Sequence, residues 1–159
     1  MKISTKGRYG LRLLLDLAAY GTNDKPRMLK DIAVSQDISE KYLSQLVIKL
    51  RRGGLISSVQ GVGGGYKLAR PPKMITVLDV LDVMEGPIAI VDCLANSDWC
   101  KRSGLCPPQI LWAQINQKVR NIFVEYTLQD LLDLQHVGGF NRDDNSQNLT
   151  HYVSENSAQ

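Results

Sequence analysis

The three cysteines of this 159-residue chain all lie within one fourteen-residue segment. They are Cys93, Cys100 and Cys106, in the pattern Cys-x6-Cys-x5-Cys, and Pro107-Pro108 follows them. Thiolate sulfur is a soft ligand that suits iron-sulfur clusters and zinc. A structural zinc site usually has four protein ligands, and the segment contains neither a C-x2-C pair nor a nearby histidine. The spacing therefore predicts a metal or iron-sulfur site, with three buried or redox-active thiols as the alternative.

Charge is distributed unevenly along the chain. Residues 1–73 carry 14 Lys/Arg and 5 Asp/Glu, a net +9, whereas residues 74–159 carry 5 and 11, a net −6. This asymmetry favours a polyanionic partner for the first half, although a merely solvated basic surface is the simpler alternative. No apolar run approaches the ~20 residues of a membrane span. We therefore expect a cytoplasmic protein without membrane contact, in which the cysteines stay reduced.

Turn and cap residues divide the basic half into three helices. We expect these helices over residues 5–20, around residues 29–33, and from Ser39 to Gly53-Gly54. Ser39 is a suitable N-cap, and a glycine pair is typical of a helix C-terminus. Within the first helix, Arg12 and Asp16 have the i,i+4 spacing of a helical ion pair.

A glycine-rich hairpin follows the third helix. Residues 55–59 and 66–69 are strand-like, and residues 60–65 join them. Helix, short helix, turn, capped helix and hairpin, in that order, form the plan of a winged helix-turn-helix protein. The expected fold class is thus mainly α, with a small β-hairpin wing and a long C-terminal dimerisation helix. The predicted domains are 1–73 for DNA binding, 74–135 for the cysteine loop and dimerisation helices, and 136–159 as a disordered tail.

The third helix is the expected DNA-reading element. Its core-facing stripe consists of Leu43, Leu46, Val47 and Leu50. Gln45 is the first choice for a base contact, because an amide can bond bidentately to adenine in the major groove. The other expected contacts to bases or phosphates are Ser39, Lys41, Tyr42, Ser44 and Lys49, with Arg51 and Arg52 gripping the backbone. In the wing, Gln60 and Gly61 are expected to approach the DNA, and a plain flexible turn is the alternative.

The acidic half predicts helices that begin at capping signals. Thr76-x-x-Asp79 resembles a capping box, and Pro107-Pro108 suit the first positions of a long helix. Apolar residues then recur at spacings that form one seam: Leu111, Ile115, Val119, Ile122 and Tyr126. This seam predicts a homodimer, with packing against the chain's own first helix as the alternative. A last short helix is expected after Thr127 and to end near Leu134.

Three stretches together resemble the IscR-type family of winged-helix, iron-sulfur-sensing bacterial transcription regulators. They are residues 1–9 (MKISTKGRY), 38–46 (ISEKYLSQL) and 54–66 (GLISSVQGVGGGY), and the likeness covers roughly residues 1–135. The resemblance implies that Cys93, Cys100 and Cys106 ligate an iron-sulfur cluster. It also implies a homodimer bound to double-stranded DNA, with cluster occupancy governing which sites are bound.

The chain departs from that family at two positions. The protein that gives the family its name has a histidine three residues after the last cysteine as fourth ligand, where this chain has Gln109. Gln109, a side chain of the partner subunit or an exogenous ligand could complete the cluster, for which 2Fe-2S is favoured over 4Fe-4S. Some relatives have an arginine where Gln60 stands, so we expect a weaker or differently specific reading of the minor groove.

The resulting interpretation is a transcription regulator, a repressor or dual regulator of iron-sulfur assembly or stress genes. It would sense cluster status, or nitric oxide or redox state through the cluster. Cluster binding is expected to order residues 91–107 and so change the spacing of the two recognition helices. The alternatives are an iron-sulfur carrier or electron-transfer protein and, within regulation, a cluster-free thiol or zinc sensor. An enzyme is not expected, because no catalytic grouping of side chains is recognisable.

Overall fold

The computed structural model describes residues 2–21, 25–96 and 105–137. Seven α-helices, one 3₁₀ turn and a two-stranded antiparallel hairpin occupy these ranges. In chain order they are α1 (Thr5–Tyr20), α2 (Leu29–Gln36), α3 (Glu40–Arg52), β1 (Ile56–Val59), β2 (Gly65–Leu68), the 3₁₀ turn (Pro72–Met74), α4 (Val77–Glu85), α5 (Asp92–Ala95), α6 (Pro107–Glu125) and α7 (Leu128–Val137). The predicted mainly helical, winged helix-turn-helix fold class is confirmed.

The core lies where α1 packs against α3 and α4. Leu13, Leu14 and Leu17 of α1 are fully buried, and the predicted core-facing stripe of α3 packs against them: Leu43, Leu46, Val47 and Leu50. Val80 and Met84 of α4 complete this layer, together with Leu128 at the start of α7. One core therefore joins the first half of the chain and the helices that follow it.

Local capping chemistry fixes the helix boundaries as the sequence predicts. The Ser39 hydroxyl accepts a hydrogen bond from the Tyr42 amide at 3.3 Å, and Thr76 and Asp79 exchange both bonds of a capping box. Pro107 occupies the first position of α6, with Cys106 as its N-cap. The Ser39 and Thr76 side chains satisfy amide groups that a helix N-terminus otherwise leaves without partners.

Asp16 does not form the local ion pair that its spacing suggested. Its carboxylate is buried and accepts from the Arg27 guanidinium at 2.9 Å, from the Gln36 amide at 3.0 Å and from the Ser35 hydroxyl. Arg12 instead lies on the surface and donates to the Gln36 side chain and carbonyl. The expectation of an Arg12–Asp16 pair was wrong, because partners from α2 and the segment before it surround the carboxylate in the folded chain.

The wing is anchored to the helix-turn-helix unit by an isolated β-bridge between Arg27 and Tyr66 of β2. β1 and β2 pair in register from Ile56 opposite Leu68 to Val59 opposite Gly65. Arg27 and Tyr66 then exchange backbone hydrogen bonds of 2.8 and 2.9 Å. A Cβ atom at position 65 would lie 2.4 Å from the Arg27 carbonyl oxygen, so this approach requires glycine there.

The C-terminal helices return the chain to the core. Val77 donates to the Tyr126 carbonyl at 2.8 Å, and Leu128 donates to the Ile75 carbonyl at 2.9 Å, which pins the α6–α7 junction to the start of α4. α7 runs to Val137 rather than ending near Leu134, so the first two residues assigned to a tail are helical. The remainder of that predicted tail lies outside the described residues. No helix in the described ranges has both the length and the apolar character of a membrane span.

Candidate DNA interface and cysteine site

The outward face of α3 carries the side chains that could enter a DNA groove. At 3.6 residues per turn, four residues fall within about 60° of arc, opposite the buried leucines. They are Lys41, Gln45, Ile48 and Arg52, and all four are exposed. Ser44 borders this face, and its hydroxyl donates to the Lys41 carbonyl at 2.7 Å. Ile48 does not belong to the set predicted from the sequence, because an aliphatic residue in a leucine-rich helix is readily taken for core.

Two of the predicted DNA contacts also have partners inside the protein. Tyr42 is half-buried, and its ring meets the Tyr9 ring edge-on, with centroids 5.8 Å apart. Lys49 Nζ donates to the Met84 carbonyl at 3.2 Å, at the C-terminal end of α4. A cation is favourable there because helix carbonyls concentrate partial negative charge at that end. Lys49 thus joins the recognition helix directly to α4.

The wing presents backbone and small side chains at its tip. Gln60 and Gly61 are exposed beyond the end of β1, and Gly61 and Gly63 have φ angles of 106° and 79°. These left-handed conformations favour glycine and bring the Gly64 amide within 2.9 Å of the Gly61 carbonyl. The tip is therefore a tight turn that a DNA backbone can approach closely. Arg51 is exposed at the end of α3, next in sequence to Arg52.

Two of the three cysteines are described, and both border the start of α6. Cys93 lies in α5 and Cys106 is the N-cap of α6; both are half-buried free thiols. Gln109 connects them, since its backbone amide donates to the Cys106 carbonyl at 3.0 Å and its side-chain amide donates to the Cys93 carbonyl at 3.4 Å. Cys100 lies outside the described residues.

An open pocket of about 450 Å³ adjoins Cys93. Its walls are Ile90, Val91, Asp92, Cys93 and Trp112. No group of three or more His, Cys, Asp or Glu side chains is assembled by residues 2–21, 25–96 and 105–137 alone. Cys93 lies half-buried beside this cavity, and Cys106 lies half-buried at a helix N-terminus, which favours negative charge. Soft sulfur donors in such positions fit the chemistry of an iron-sulfur group.

Polar contacts tie the segment around Cys93 to the rest of the molecule. Asn116 of α6 donates to the Ile88 carbonyl at 3.2 Å and accepts from the Ile90 amide at 3.1 Å. Four residues further along α6, Arg120 pairs with Asp82 of α4 at 3.4 Å. Neither contact was predicted from the sequence, because each joins residues more than 25 positions apart.

Glu85 makes a further connection at the end of α4. Its carboxylate accepts from the Ser4 amide, the Ser4 hydroxyl and the Gly7 amide, at 2.5 to 3.1 Å. An acidic side chain at a helix N-terminus both satisfies free amides and complements the helix dipole. The last turn of α4 therefore contacts α1 through Glu85 and α3 through the Met84 carbonyl.

Comparison with known proteins places the chain among bacterial gene regulators. A family model described as "Rrf2: Iron-dependent Transcriptional regulator" matches residues 3–134. The chain is 43% identical over 131 residues to the HTH-type transcriptional regulator CymR of Bacillus subtilis (strain 168). The matched region covers 82% of this chain and 89% of CymR. It is 33% identical over 137 residues to the HTH-type transcriptional regulator IscR of Xenorhabdus nematophila, with coverages of 86% and 82%.

Solved structures give the same assignment. The structure of CymR, "the Global Cysteine Regulator of B. subtilis", has a TM-score of 0.67 and 42% identity, and covers 82% of this chain and 95% of that one. T. potens IscR has a TM-score of 0.63 and 33% identity, over 96% of this chain and 97% of that one.

Proposed function

The chain belongs to the Rrf2 family of DNA-binding transcription regulators, and we propose that it is a homodimer whose choice of DNA sites depends on an iron-sulfur cluster. Cys93, Cys100 and Cys106 would hold the cluster. We favour a 2Fe-2S cluster over a 4Fe-4S cluster. The regulator would act in the cytoplasm as a repressor or dual regulator of iron-sulfur assembly or stress genes. The relatives are HTH-type transcriptional regulators. They agree with the prediction that the chain is not an enzyme, and they favour a regulator over a carrier.

The observation that carries the proposal is the link through Gln109. One residue hydrogen-bonds the backbone carbonyls of both Cys93 and Cys106, which supports a shared site for these two residues although twelve residues separate them in sequence. Thiolates gathered on a short segment are the usual ligands of iron-sulfur groups. Gln109 is itself a possible fourth ligand, and its amide nitrogen is directed at the Cys93 carbonyl.

A homodimer is supported by the apolar surface of α6. Leu111 and Ile122 are each 51% exposed, and Ile115 and Tyr126 on the same seam are 36% and 42% exposed. α6 packs on α4 and α5, and no residue of α6 is buried within the single chain. A second copy of α6 would remove this seam from water, and each fully buried aliphatic side chain contributes about 1.5–3 kcal/mol.

The contacts around α4 support coupling between the cysteines and the DNA interface. Asn116 holds the segment that leads to Cys93, Arg120 holds α4, and Lys49 joins α4 to the recognition helix. Binding at the cysteines would order residues 91–107 against α6. A shift of α4 or α6 would then alter the separation of the two recognition helices in the dimer.

Oxygen-free purification tests the proposal. We expect coloured protein with iron and acid-labile sulfide in comparable amounts and little zinc. Chelation should change its affinity or site preference for DNA at fixed salt. The Cys93→Ser and Cys106→Ser variants should lose the iron and behave like the chelated protein. Colourless, iron-free protein after reconstitution, with unaltered DNA binding, would refute the cluster model.

A cluster-free response to cysteine supply or thiol oxidation is the second candidate. Its support is the 43% identity to CymR of Bacillus subtilis, the global cysteine regulator of that organism. In that case the protein prepared without oxygen would contain no iron. Its DNA affinity would respond to thiol oxidation, or to zinc if the thiols bind that ion.

A further inference from the structure

The recognition helix carries one aliphatic side chain where charge and hydrogen-bonding groups are expected. Every residue of α3 is described, and Ile48 is its one exposed aliphatic residue, at 48% exposure. Leu43, Leu46, Val47 and Leu50 are all buried in the core. A single exposed isoleucine is ordinary on a protein surface. Its significance here comes from where it lies.

Ile48 occupies the middle of the face that would enter the DNA groove. It follows Gln45 by three residues and precedes Arg52 by four, the spacings that place side chains next to one another along a helix. Ile48 is not among the described hydrophobic residues that pack against the core, whereas Tyr42 is. Any DNA held by Gln45 on one side and Arg52 on the other must therefore lie against Ile48.

The major groove contains one apolar group with which isoleucine can pair. Among the base edges, guanine, cytosine and adenine present polar atoms, whereas thymine also presents its C5-methyl group. Three residues along a helix advance about 4.5 Å, little more than one base step of ~3.4 Å. A side chain three residues from Gln45 would thus reach the same base pair or the next.

We infer that Ile48 is a specificity-determining residue that packs on the C5-methyl group of a thymine beside the base pair read by Gln45. The inference rests on the proposed DNA-binding role of α3 and adds to it a second kind of base recognition. Gln45 would select adenine by hydrogen bonding, and Ile48 would select thymine by excluding water from its methyl group. The two residues together favour A·T pairs in the centre of each half-site.

Base analogues test this contact without changing any hydrogen bond. Duplexes would first be selected by the intact protein from a random-sequence pool. Each thymine of the best duplex would then be replaced singly by deoxyuridine, which lacks the methyl group. For the wild-type protein we expect one position at which binding weakens about fourfold, the effect of burying one methyl-sized group (~0.8 kcal/mol).

The Ile48→Ala variant tests whether the side chain of Ile48 makes this methyl contact. It should bind the parent duplex more weakly and should lose its sensitivity to deoxyuridine at that one position. Met74→Ala is the matched control, because Met74 is an exposed apolar residue, at 57% exposure, of the 3₁₀ turn that packs against α7. This control should keep the wild-type sensitivity. Both side chains are exposed, so neither substitution should unfold the protein, and circular dichroism would check this.

Each other outcome has a distinct meaning. If the wild-type and Ile48→Ala proteins respond equally to every deoxyuridine, the methyl contact is refuted while the regulator function stands. If Ile48→Ala instead weakens self-association and leaves DNA affinity per dimer unchanged, Ile48 belongs to a protein interface and the inference fails. If no sequence is enriched from the pool, the proposed function fails and this inference fails with it.

Discussion

Single residues on α3 divide into those that can recognise a base and those that contribute mainly charge. Gln45 presents an amide whose donor and acceptor have fixed directions, whereas the Arg52 guanidinium lies a further two turns along the exposed face. Directional groups discriminate between base edges, and charges near phosphates act on all sequences alike. Substitutions of Gln45 and Arg52 should therefore change DNA binding in different ways.

Gln45→Ala should change base preference, costing about 1–3 kcal/mol on the preferred site and little on random DNA. Arg52→Ala should weaken binding to all sequences and reduce the slope of log affinity against log salt by about 0.9. Fluorescence anisotropy titrations at several salt concentrations measure both effects. Equal losses on specific and random DNA from both variants would refute this division of roles.

Gln109 can act as a ligand or as a positioning residue, and these roles have different signatures. If it positions Cys93 and Cys106, Gln109→Ala should leave the absorption spectrum of the cluster unchanged. Iron loss to a chelator should nevertheless be about tenfold faster, as for other residues that support a metal's ligands. Gln117→Ala is the control, because the Gln117 side chain is exposed and donates to the exposed Asn121 side chain of α6, at 2.8 Å. An altered spectrum in Gln109→Ala would indicate a ligand instead.

Residue roles were predictable from the sequence where type alone limits the chemistry. Soft sulfur donors in one segment and an amide on a capped helix indicate metal binding and base reading without any structure. Ile48 was missed because hydrophobic type usually means burial, and only the angle around the helix distinguishes position 48 from its buried neighbour Val47. Cys100 lies outside the described residues, so its predicted role stays a prediction.

At the level of elements, Asp16 is the point where three segments meet. It lies on α1, its partners Ser35 and Gln36 end α2, and Arg27 belongs to the strand segment that pairs with the wing. The Asp16 side chain is fully buried and that of Arg27 is 24% exposed. The orientation of the wing relative to the helix-turn-helix unit thus depends on one carboxylate.

Asp16→Ala should destabilise the fold by about 3–5 kcal/mol, because it leaves Arg27 and two polar side chains without their buried acceptor. The control is Arg70→Ala, which removes a surface pair with Asp79 whose side chains are each about 40% exposed. That change should cost less than about 1 kcal/mol. Urea unfolding followed by circular dichroism measures both, and a loss below 1 kcal/mol for Asp16→Ala would contradict the proposed role.

Elements were predictable where the signal is local. Ser39, Thr76 and Pro107 mark helix starts that the structure confirms to the residue. Long-range contacts have no comparable local signal in the sequence. The Arg27–Tyr66 bridge and the Asp16–Arg27 pair join residues that are distant in sequence, and the i,i+4 rule assigned Asp16 to Arg12 because that rule considers one helix in isolation.

Another local signal concerns the start of α7. Hydrogen bonds from the hydroxyl and the amide of Thr127 lower the pKa of the Asp130 carboxyl below its ordinary value. The carboxylate therefore stays ionised, and keeps its role as a cap, at more acidic pH than an ordinary aspartate would. Its contribution is lost as the pH falls through the lowered pKa.

For the whole molecule, the exposed seam of α6 would be the subunit interface of the proposed homodimer. Ile122→Glu would place a charge in the middle of the seam, where a partner helix would have to desolvate it. We expect this variant to be monomeric in analytical ultracentrifugation and to bind an operator with two half-sites much more weakly. Val124→Glu is the matched control, since Val124 is 48% exposed on the opposite side of α6.

Val124→Glu should remain dimeric and bind DNA normally. If Ile122→Glu also stays dimeric at micromolar concentration, the seam is not the subunit interface. Any pairing of two subunits through their acidic halves would then need a different surface.

In the proposed regulator, α6 would act as a lever. Two backbone hydrogen bonds at the α6–α7 junction fasten one end of α6 to the start of α4 and would serve as the fulcrum, while a cluster at the cysteines would act on the opposite end. The nineteen residues of α6 make a rod of about 28 Å. A tilt of roughly 5° about the fulcrum would swing the cysteine end through about 2.5 Å, a distance comparable to one ligand bond at a metal.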